Sequence, residues 1–480
     1  MPHGVPEATE TLIDAGSFVP SGDALAASDP LGFPGYGDAL ARAEAASGAA
    51  ESVVTGAASV AGVAVEVAAF EFSFLGGSMG TRTGELLARA VERAARRGVP
   101  FVLRTATGGA RMQEGMASLV QMPKVVAARL ALAAAGTPFV AILGSPTTGG
   151  VLASLAALAD VTIAEAGATI GFAGPRVVEA ATGRPPGGDS HSAESALQAG
   201  LVDAVVAPGD ARDALATVLS ILTAAGAPAS GDAPAPAASD ERDPWDAVRT
   251  VRGDAWPLAP DLARSLAGSF FELRGDRAGG DDPACVAGLA TIAGRRAVVL
   301  TLDRTRPPGP RAYRKAIRCV RLAAGLGIPV VTLVDTPGAD PSEESERGGI
   351  AWAIAELFEA MLTAPVPVVS VVTGEGGSGG ALAFATADVL LAYEDAVFEV
   401  IAPELAATIL WRDGGRAAEA ARLLRIGAAS LASLGICDEV LPGRPEPRPL
   451  AAAVAYHLAR LANGAPGEAR RDRWRNRRGE

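Results

Sequence analysis

Runs of β-branched residues alternate with alanine-rich segments along most of the chain, and glycines concentrate where a run meets the segment after it. The run at 366–373 leads into a stretch at 374–380 that contains five glycines, and alanine-rich sequence of helical character follows. Glycine tolerates positive φ and has no Cβ, so this stretch can turn sharply and bring bare N–H groups close to a ligand. Helix N-termini carry unpaired N–H donors and partial positive charge. The stretch therefore suits an oxygen that gains negative charge, although a ligand-free turn is the commoner interpretation of one isolated glycine cluster.

The same alternation predicts the elements of the first half. The first 50 residues are irregular apart from a short helix, and valine-rich strands are expected between 52 and 74. A first glycine turn at 76–80 leads into a helix whose Leu87, Val91 and Ala94 form an apolar stripe. The expected helices are at 38–46, 84–97, 116–135 and 176–181, and the expected strands at 101–104, 138–143, 161–164 and 169–172.

The pattern of the first half returns in the second. The motif Thr107-Gly108-Gly109-Ala110-Arg111 is echoed by Thr336-Pro337-Gly338-Ala339-Asp340. The motif Gly149-Gly150-Val151-Leu152-Ala153 is echoed by Gly379-Gly380-Ala381-Leu382-Ala383. Gly109 and Gly149 are 40 positions apart, and Gly338 and Gly379 are 41 apart. We interpret this as a divergent internal duplication in which each half is a run of β-turn-α units, an α/β fold.

A change of composition separates the halves. Residues 224–240 are rich in Ala, Pro, Gly and Ser and almost uncharged, which is typical of a flexible linker. The arginine-dense C-terminal segment is expected to be solvated and mobile, and contact with an acidic partner is the less favoured alternative. We therefore predict a first domain at 1–223, a linker at 224–244, a second domain at 245–465 and a basic tail at 466–480.

Composition narrows the class of protein. With 480 residues, 49% of them hydrophobic, the chain can form large buried cores, and a net charge of −12 argues against nucleic-acid binding. Cys285, Cys319 and Cys437 are too far apart for a disulfide framework or a zinc site, which favours a reducing compartment. The N-terminus lacks the pattern of a signal peptide, and the apolar stretch at 125–143 is interrupted by Arg129 and Pro138, so no membrane span is expected. We expect a cytoplasmic protein.

Each half offers two sources of N–H groups at strand-to-helix turns. Two converging amides would form an oxyanion hole, a device worth a few kcal/mol per donor. Ordinary turns of an α/β sheet are the alternative, and four glycine turns at matching offsets make that alternative less favourable. The predicted catalytic residues are Gly109, Ala110, Gly149 and Gly150 in the first half and Gly338, Ala339, Gly379 and Gly380 in the second.

Other catalytic devices are missing from these turns. No histidine lies in a glycine turn, and His191 sits in a polar loop where surface exposure explains it better than catalysis. No lysine follows the glycines, which argues against phosphate transfer at 374–380. Glu375 is either a base or, equally, the partner of an arginine. The sequence thus predicts chemistry performed by oriented backbone dipoles, with the substrate supplying the proton acceptor.

These residues resemble the carboxyltransferase component of biotin-dependent acetyl-CoA carboxylases, which has the crotonase-like fold. Residues 50–220 resemble the bacterial β subunit and residues 245–445 the α subunit, so the chain is similar to both subunits fused. The motifs that carry the resemblance are Phe74-Leu75-Gly76-Gly77-Ser78-Met79-Gly80, Gly108 to Glu114, and Ile170 to Val177 in the first half, and Phe271 to Arg277, Tyr313-Arg314-Lys315-Ala316, Asp335 to Ala339, Gly374 to Ala381, and Ile409-Leu410-Trp411 in the second.

The resemblance implies two tandem crotonase-like (ββα superhelix) domains related by internal duplication. It also implies that carboxybiotin supplies CO2 and a base, and that the enolate of an acyl-CoA attacks CO2 to give a malonyl-CoA-type product. The first half would face acyl-CoA and the second biotin, with Ala381 as a further catalytic residue of the second half. Each site would form between the first half of one protomer and the second half of another. The residues expected to bind substrate are Gly76, Gly77, Ser78, Met79, Gly108, Arg111, Phe172, Gly174, Pro175, Gly376 and Gly377.

The family also implies partners. The chain has no ATP-binding motif and no biotinylation motif around its lysines, so a separate biotin carboxylase and a biotin carboxyl carrier protein are expected, with a homodimer or higher homo-oligomer as the assembly. No zinc is expected, because residues 1–50 lack the cysteines of the β subunit's zinc ribbon. The segment 303–311 is shorter than the α-subunit loop, and Asp340 stands where that subunit usually has tyrosine. Both differences would alter the pocket and hence the preferred acyl chain.

Two alternatives remain open from the sequence. The β and γ components of malonate decarboxylase share the fold and decarboxylate a malonyl thioester. A non-catalytic homologue that retains the fold is the other alternative, and the intact glycine turns argue against it.

Overall fold

The computed structural model describes residues 5–23, 25–188, 190–225, 242–462 and 466–476. The chain divides into two compact units, one made of residues 1–223 with 277–279 and the other of the remaining residues. Most of the linker predicted at 224–244 lies outside the described residues.

Unit 1 is a mixed sheet covered by helices. The β2–β3 hairpin is antiparallel, and the strand order β1-β2-β3-β4-β5-β6-β8 continues from it as a parallel sheet, with β7 paired to the end of β5. The strands are β1 Val19–Pro20, β2 Val53–Val60, β3 Val63–Phe70, β4 Phe101–Thr107, β5 Phe139–Thr148, β6 Val161–Glu165, β7 Ile170–Gly171 and β8 Ala204–Val206. The helices are α1 Glu7–Glu10, α2 Tyr36–Ser47, α3 Thr81–Arg97, α4 Met116–Leu119, α5 Gln121–Ala134, α6 Gly149–Ser154, α7 Pro175–Thr182, α8 Ala193–Gln198 and α9 Ala211–Leu222.

Unit 2 repeats this plan. Its order is β16-β14-β13-β12-β11-β10-β9, antiparallel over β9, β10 and β11 and parallel beyond, with β15 paired to the end of β13. The strands are β9 Ala267–Leu273, β10 Cys285–Ile292, β11 Arg295–Leu302, β12 Val330–Thr336, β13 Val368–Gly377, β14 Val389–Tyr393, β15 Val397–Glu399 and β16 Glu439–Leu441. The helices are α10 Pro244–Val251, α11 Ala259–Leu266, α12 Pro310–Leu326, α13 Glu343–Arg347, α14 Ile350–Thr363, α15 Ser378–Ala385, α16 Pro403–Trp411, α17 Ala417–Leu423, α18 Ala428–Ser433, α19 Pro447–Leu461 and α20 Glu468–Asn476.

The predicted apolar stripe of α3 lies in the core of unit 1. Leu87, Val91 and Ala94 are fully buried, as periodicity predicts, and α3 packs against α5. Strands β4 and β5 are both longer than predicted, because they continue through polar threonines. The threonine side chains form hydrogen bonds within the sheet, as between the Thr105 and Thr147 hydroxyls (2.7 Å). The sheet therefore delivers both strands directly into their turns.

The helix predicted at 116–135 is interrupted. It forms α4 and α5, which meet at Val120. In the described part of the chain, the stretch Met116–Ala134 is the one helical segment with the length and apolar composition of a membrane span. Contact between α5 and α3 accounts for it as part of the helix layer of unit 1.

The prediction of a solvated, mobile C-terminal segment is wrong for residues 468–476. They form α20, and Arg470 is fully buried, with Nη2 donating to the Val366 carbonyl (3.2 Å) and also to that of Ala364. Nη1 of Arg470 lies 3.5 Å from Oδ2 of Asp388. Trp474 donates from its indole nitrogen to the Ala387 carbonyl (2.9 Å). Carbonyls at the start of β13 and the Asp388 carboxylate thus hold a segment whose composition resembles that of a free tail.

Replacing Arg470 by alanine should destabilise unit 2 by about 2–3 kcal/mol, because it leaves two buried carbonyls and Asp388 without their cation. The matched control is Arg471→Ala on the exposed face of the same helix, which should change the free energy of unfolding by less than about 0.5 kcal/mol. Urea denaturation measures both. Equal stabilities for the two variants would show that the buried contacts of Arg470 do not stabilise unit 2.

Candidate functional site

Three turns of unit 1 pack together at the carboxyl ends of β4 and β5. The Met79 N–H donates to the Gly109 carbonyl (2.7 Å), and the Arg111 N–H donates to the Met79 carbonyl (2.9 Å). The Gly108 N–H donates to the Gly76 carbonyl (2.9 Å). The first glycine turn, at 76–80, is thus tied along its length to the turn that carries Ala110.

The second contact brings two glycines into van der Waals range. Gly109 and Gly149 both have positive φ (105° and 63°), and a Cβ on Gly149 would lie 2.8 Å from the Gly109 Cα. The two turns that carry the predicted N–H groups of the first half are therefore in contact, which the sequence could not establish.

Two of the four predicted donors of this half are already engaged. The Gly109 N–H donates to Thr107 Oγ1 (3.0 Å) and the Gly149 N–H to the Phe172 carbonyl (2.9 Å). The Ala110 N–H has no acceptor among the described residues, and Gly150 is the second residue of α6, where no intrahelical acceptor exists. Ala110 and Gly150 are therefore the two predicted donors of this half that have no acceptor among the described residues.

Arg111, predicted to bind substrate, is instead a buried brace. Its side chain is fully buried, with the guanidinium bonded to the Ser78 carbonyl (2.7 Å) and Glu114 (3.2 Å) and paired with Glu51. Tyr36 on α2 completes this network through Glu114 (2.7 Å). The charge of Arg111 is used to hold the Ala110 turn, so it does not face a ligand.

The segment at 172–175, whose Phe172 carbonyl accepts from the Gly149 N–H, is exposed on one side and held by His191. Phe172 is 71% exposed, and α7, which begins at Pro175 after Gly174, has no buried residue. His191 is half-buried, and its Nε2 lies 3.0 Å from the Ala173 carbonyl, to which it donates. His191 therefore holds the segment that follows β7, and it is less exposed than predicted.

The corresponding turns of unit 2 meet as well. A Cβ on Gly377 would lie 2.0 Å from the Pro337 carbonyl oxygen, and one on Gly380 would lie 3.2 Å from the Ala339 nitrogen. The Ala339 N–H has no acceptor in the described part of the chain. Ala381 is fully buried in the first turn of α15. Unit 2 thus also presents a free amide beside the start of a helix.

Strand register corrects the alignment of the two halves by one residue. Thr107 pairs with Thr147 in unit 1, and Thr336 pairs with Gly376 in unit 2, so Ser378 rather than Gly379 corresponds to Gly149. Ser378 has the same left-handed φ (62°) as Gly149 (63°). The difference between spacings of 40 and 41 in the sequence was the signal for this shift.

A buried acidic layer supports the glycine stretch of β13. Asp335 Oδ1 accepts from the Glu375 N–H (3.1 Å), and its Oδ2 accepts from Arg304 (2.7 Å). Glu375 is paired with Arg252 through the Nε of the arginine (2.8 Å), which confirms the arginine-partner interpretation and leaves Glu375 no role as a free base. Sequence reasoning missed Arg252, because it lies 123 positions from Glu375.

Glu399 is the unusual member of this layer. It is 3% exposed, and its backbone pairs with Gly377 at the end of β13, directly before α15. Burial first, and then the nearby charge of Glu375, raise the pKa of Glu399 well above its usual range, against the opposing effect of Arg252. Glu404 on α16 adds a further negative charge. These surroundings favour the protonated, neutral form of Glu399.

Gly380→Ala should destabilise unit 2 by about 1–3 kcal/mol, because the new methyl group would lie 2.5 Å from the Tyr313 hydroxyl oxygen and 3.1 Å from the Ala339 Cβ. Gly379→Ala is the matched control: a Cβ there meets nothing within 4 Å, and the expected change is under about 0.5 kcal/mol. Thermal unfolding of both variants tests whether the two turns are in contact. The contact is refuted if Gly380→Ala is as stable as Gly379→Ala.

Glu399→Gln should become more stable than the wild type as pH rises. Glu399 is ionised in the unfolded chain above the usual glutamate range but protonated in the fold, so wild-type stability falls by about 1.4 kcal/mol per pH unit until its raised folded-state pKa is reached. Glutamine cannot ionise, so the free energy of unfolding of Glu399→Gln should exceed that of the wild type by an amount that vanishes near pH 5 and grows towards pH 8.5. Urea denaturation across this range measures it, and parallel stability curves would contradict the protonated carboxyl.

No group of three or more His, Cys, Asp or Glu side chains suited to a metal ion occurs within the described ranges.

Comparison with known proteins gives consistent results. Residues 237–457 match the family described as acetyl co-enzyme A carboxylase carboxyltransferase-like. The acetyl-coenzyme A carboxylase carboxyl transferase subunits beta/alpha of Salinispora tropica are 45% identical over 95% of this chain and 85% of theirs. Those of Saccharopolyspora erythraea are 42% identical over 98% of this chain and 86% of theirs.

Solved structures resemble the whole chain. Transcarboxylase 12S, crystallised as a hexamer with methylmalonyl-coenzyme A, has a TM-score of 0.78 at 26% identity, covering 95% of this chain and 89% of its own. A single-chain, multi-domain long-chain acyl-CoA carboxylase has a TM-score of 0.75 at 21% identity over 94% of this chain and 45% of its own, and this likeness concerns the fold alone.

Proposed function

The chain belongs to the acetyl-CoA carboxylase carboxyltransferase family and is a biotin-dependent acyl-CoA carboxyltransferase with β- and α-like halves. We propose that the reaction is divided between two corners, each made of an alanine turn and the helix start beside it. The corner of Ala110 and Gly150 binds the thioester oxygen of acetyl-CoA or a related short acyl-CoA. The corner of Ala339 and the first turn of α15 binds the ureido oxygen of biotin.

The single observation that carries this proposal is the repeated free amide. In each unit an alanine N–H without an acceptor lies against the first turn of a helix, at Ala110 beside Gly150 and at Ala339 beside Gly380. Preorganised donors stabilise an oxygen that gains charge in the transition state far more than the neutral oxygen of the ground state, typically by about 3–4 kcal/mol per donor. Each corner therefore fits one of the two anionic oxygens of carboxyl transfer.

The residues around the corners fit a reaction in which the donor supplies its own base. Carboxybiotin, borne on a separate carrier protein, provides CO2 and the group that accepts the α-proton. In the second corner, Glu375 is bound to Arg252, and Asp335 to Arg304. These carboxylates position the backbone of the second corner. At the first corner, the amides of Ala110 and Gly150 stabilise the enolate oxygen of the acyl-CoA while the α-carbon of the enolate forms the new bond to CO2.

We propose that the protein works in the cytoplasm as a homo-oligomer with a biotin carboxylase and a biotin carboxyl carrier protein. Each unit has large apolar side chains exposed: Met112 (86%) and Met116 (69%) in unit 1, and Trp352 (78%) and Ile409 (69%) in unit 2. Surfaces of this kind are typical of protein interfaces, and closed symmetric assemblies are the usual outcome.

The function is tested with malonyl-CoA in the presence and absence of free biotin. The expected result is acetyl-CoA formation that requires biotin, since the carboxyl group needs an acceptor. Release of CO2 at the same rate without biotin would instead identify a malonyl-thioester decarboxylase, and the absence of any turnover would revive a non-catalytic role. In the forward direction, comparison of acetyl-, propionyl- and butyryl-CoA identifies the acyl group.

A further inference from the structure

Tyr313 carries a buried hydroxyl that the proposed mechanism does not use. It is the fourth residue of α12, its side chain is fully buried, and its ring packs on Phe384 with centroids 5.6 Å apart. Its hydroxyl oxygen has no hydrogen-bond partner among the described residues. A buried O–H without an acceptor costs free energy, so such groups are rare unless a ligand completes them.

The hydroxyl lies at the corner of unit 2. A Cβ built on Gly380 would be 2.5 Å from the Tyr313 hydroxyl oxygen and 3.2 Å from the Ala339 nitrogen. The phenol oxygen and the free amide therefore both lie against Gly380, on the side where a side chain would stand. Burial raises the pKa of Tyr313, so the proton stays on the oxygen.

Unit 1 has no counterpart. Gly80 and Gly98 cap α3, and Gly309 and Gly327 cap α12 at the same separation, so the position that corresponds to Tyr313 is Gly84. A Cβ on Gly84 would meet Gln121, and by strand register the residue of α6 that corresponds to Gly380 is Val151, whose side chain is fully buried. The duplicated corners thus differ by one hydrogen-bond donor.

We propose that the Tyr313 hydroxyl is a side-chain donor to the ligand oxygen bound at the corner of Ala339 and Gly380. This inference rests on the proposed function, under which the ligand is a cyclic urea whose oxygen becomes negative as the carboxyl group leaves. The ureido oxygen is hydrogen-bonded by an amide and a phenol, whereas the thioester oxygen at the other corner is held by amides alone. Tyr313 is then a catalytic residue, because its hydroxyl contacts the oxygen that gains charge.

The test is Tyr313→Phe, which removes only the hydroxyl. We expect kcat for biotin-dependent decarboxylation of malonyl-CoA to fall by about 10- to 1,000-fold, as for loss of one oxyanion donor, with an unchanged Kd for malonyl-CoA. The melting temperature should stay the same or rise, because an unpaired buried hydroxyl is lost. The matched control is Tyr393→Phe in β14: Tyr393 is also buried but has the backbone of Glu446 as a partner, and kcat should not change.

Wild-type kcat in Tyr313→Phe would overturn the inference and leave the hydroxyl as a packing group. A fall in kcat accompanied by a similar fold-increase in the Kd for malonyl-CoA, or by a lower melting temperature, would also overturn the inference. Either pattern indicates a general packing defect. If the wild type itself shows no biotin-dependent turnover, the proposed function fails first, so the two failures are distinguishable.

Discussion

The close approach of two backbone turns, with no room for a side chain between them, is the constraint on which each half of the protein depends. In unit 1 the Cα of Gly109 lies against Gly149, and in unit 2 Gly377 lies against the Pro337 carbonyl. This approach brings the unpaired amide of an alanine to the first turn of a helix. Since main-chain amides cannot rotate away as side chains do, the donors are oriented before any ligand arrives.

Strong side-chain interactions hold these turns from behind. Arg111 ties the turn that carries Ala110 to Glu51 and Glu114. In unit 2, Arg304 pairs with the Asp335 carboxylate of β12, and Arg252 pairs with the Glu375 carboxylate of β13. Buried ion pairs of this kind add little net stability, but removing one partner is costly. They therefore act mainly to fix geometry, which explains why charged residues near the corners do not serve as acids or bases.

Duplication has preserved the corner but not its details. Ser378 takes the left-handed position that Gly149 occupies, and Tyr313 fills a place that is Gly84 in the other half. Each difference lies beside a free amide, where a single methyl or hydroxyl group changes what can bind. Two copies of one fold can thus stabilise two chemically different oxygens.

The sequence by itself determined the duplication, the strand-turn-helix order and the glycine corners, because periodicity and the conformational freedom of glycine are local properties. It also identified the family through motifs in the correct order. Only the tertiary structure decided which amides are free, since the Gly109 and Gly149 N–H groups are engaged by Thr107 and by the Phe172 carbonyl. It likewise decided that Arg111 is a brace and that residues 468–476 pack on unit 2, because both outcomes depend on partners that lie far away in the sequence.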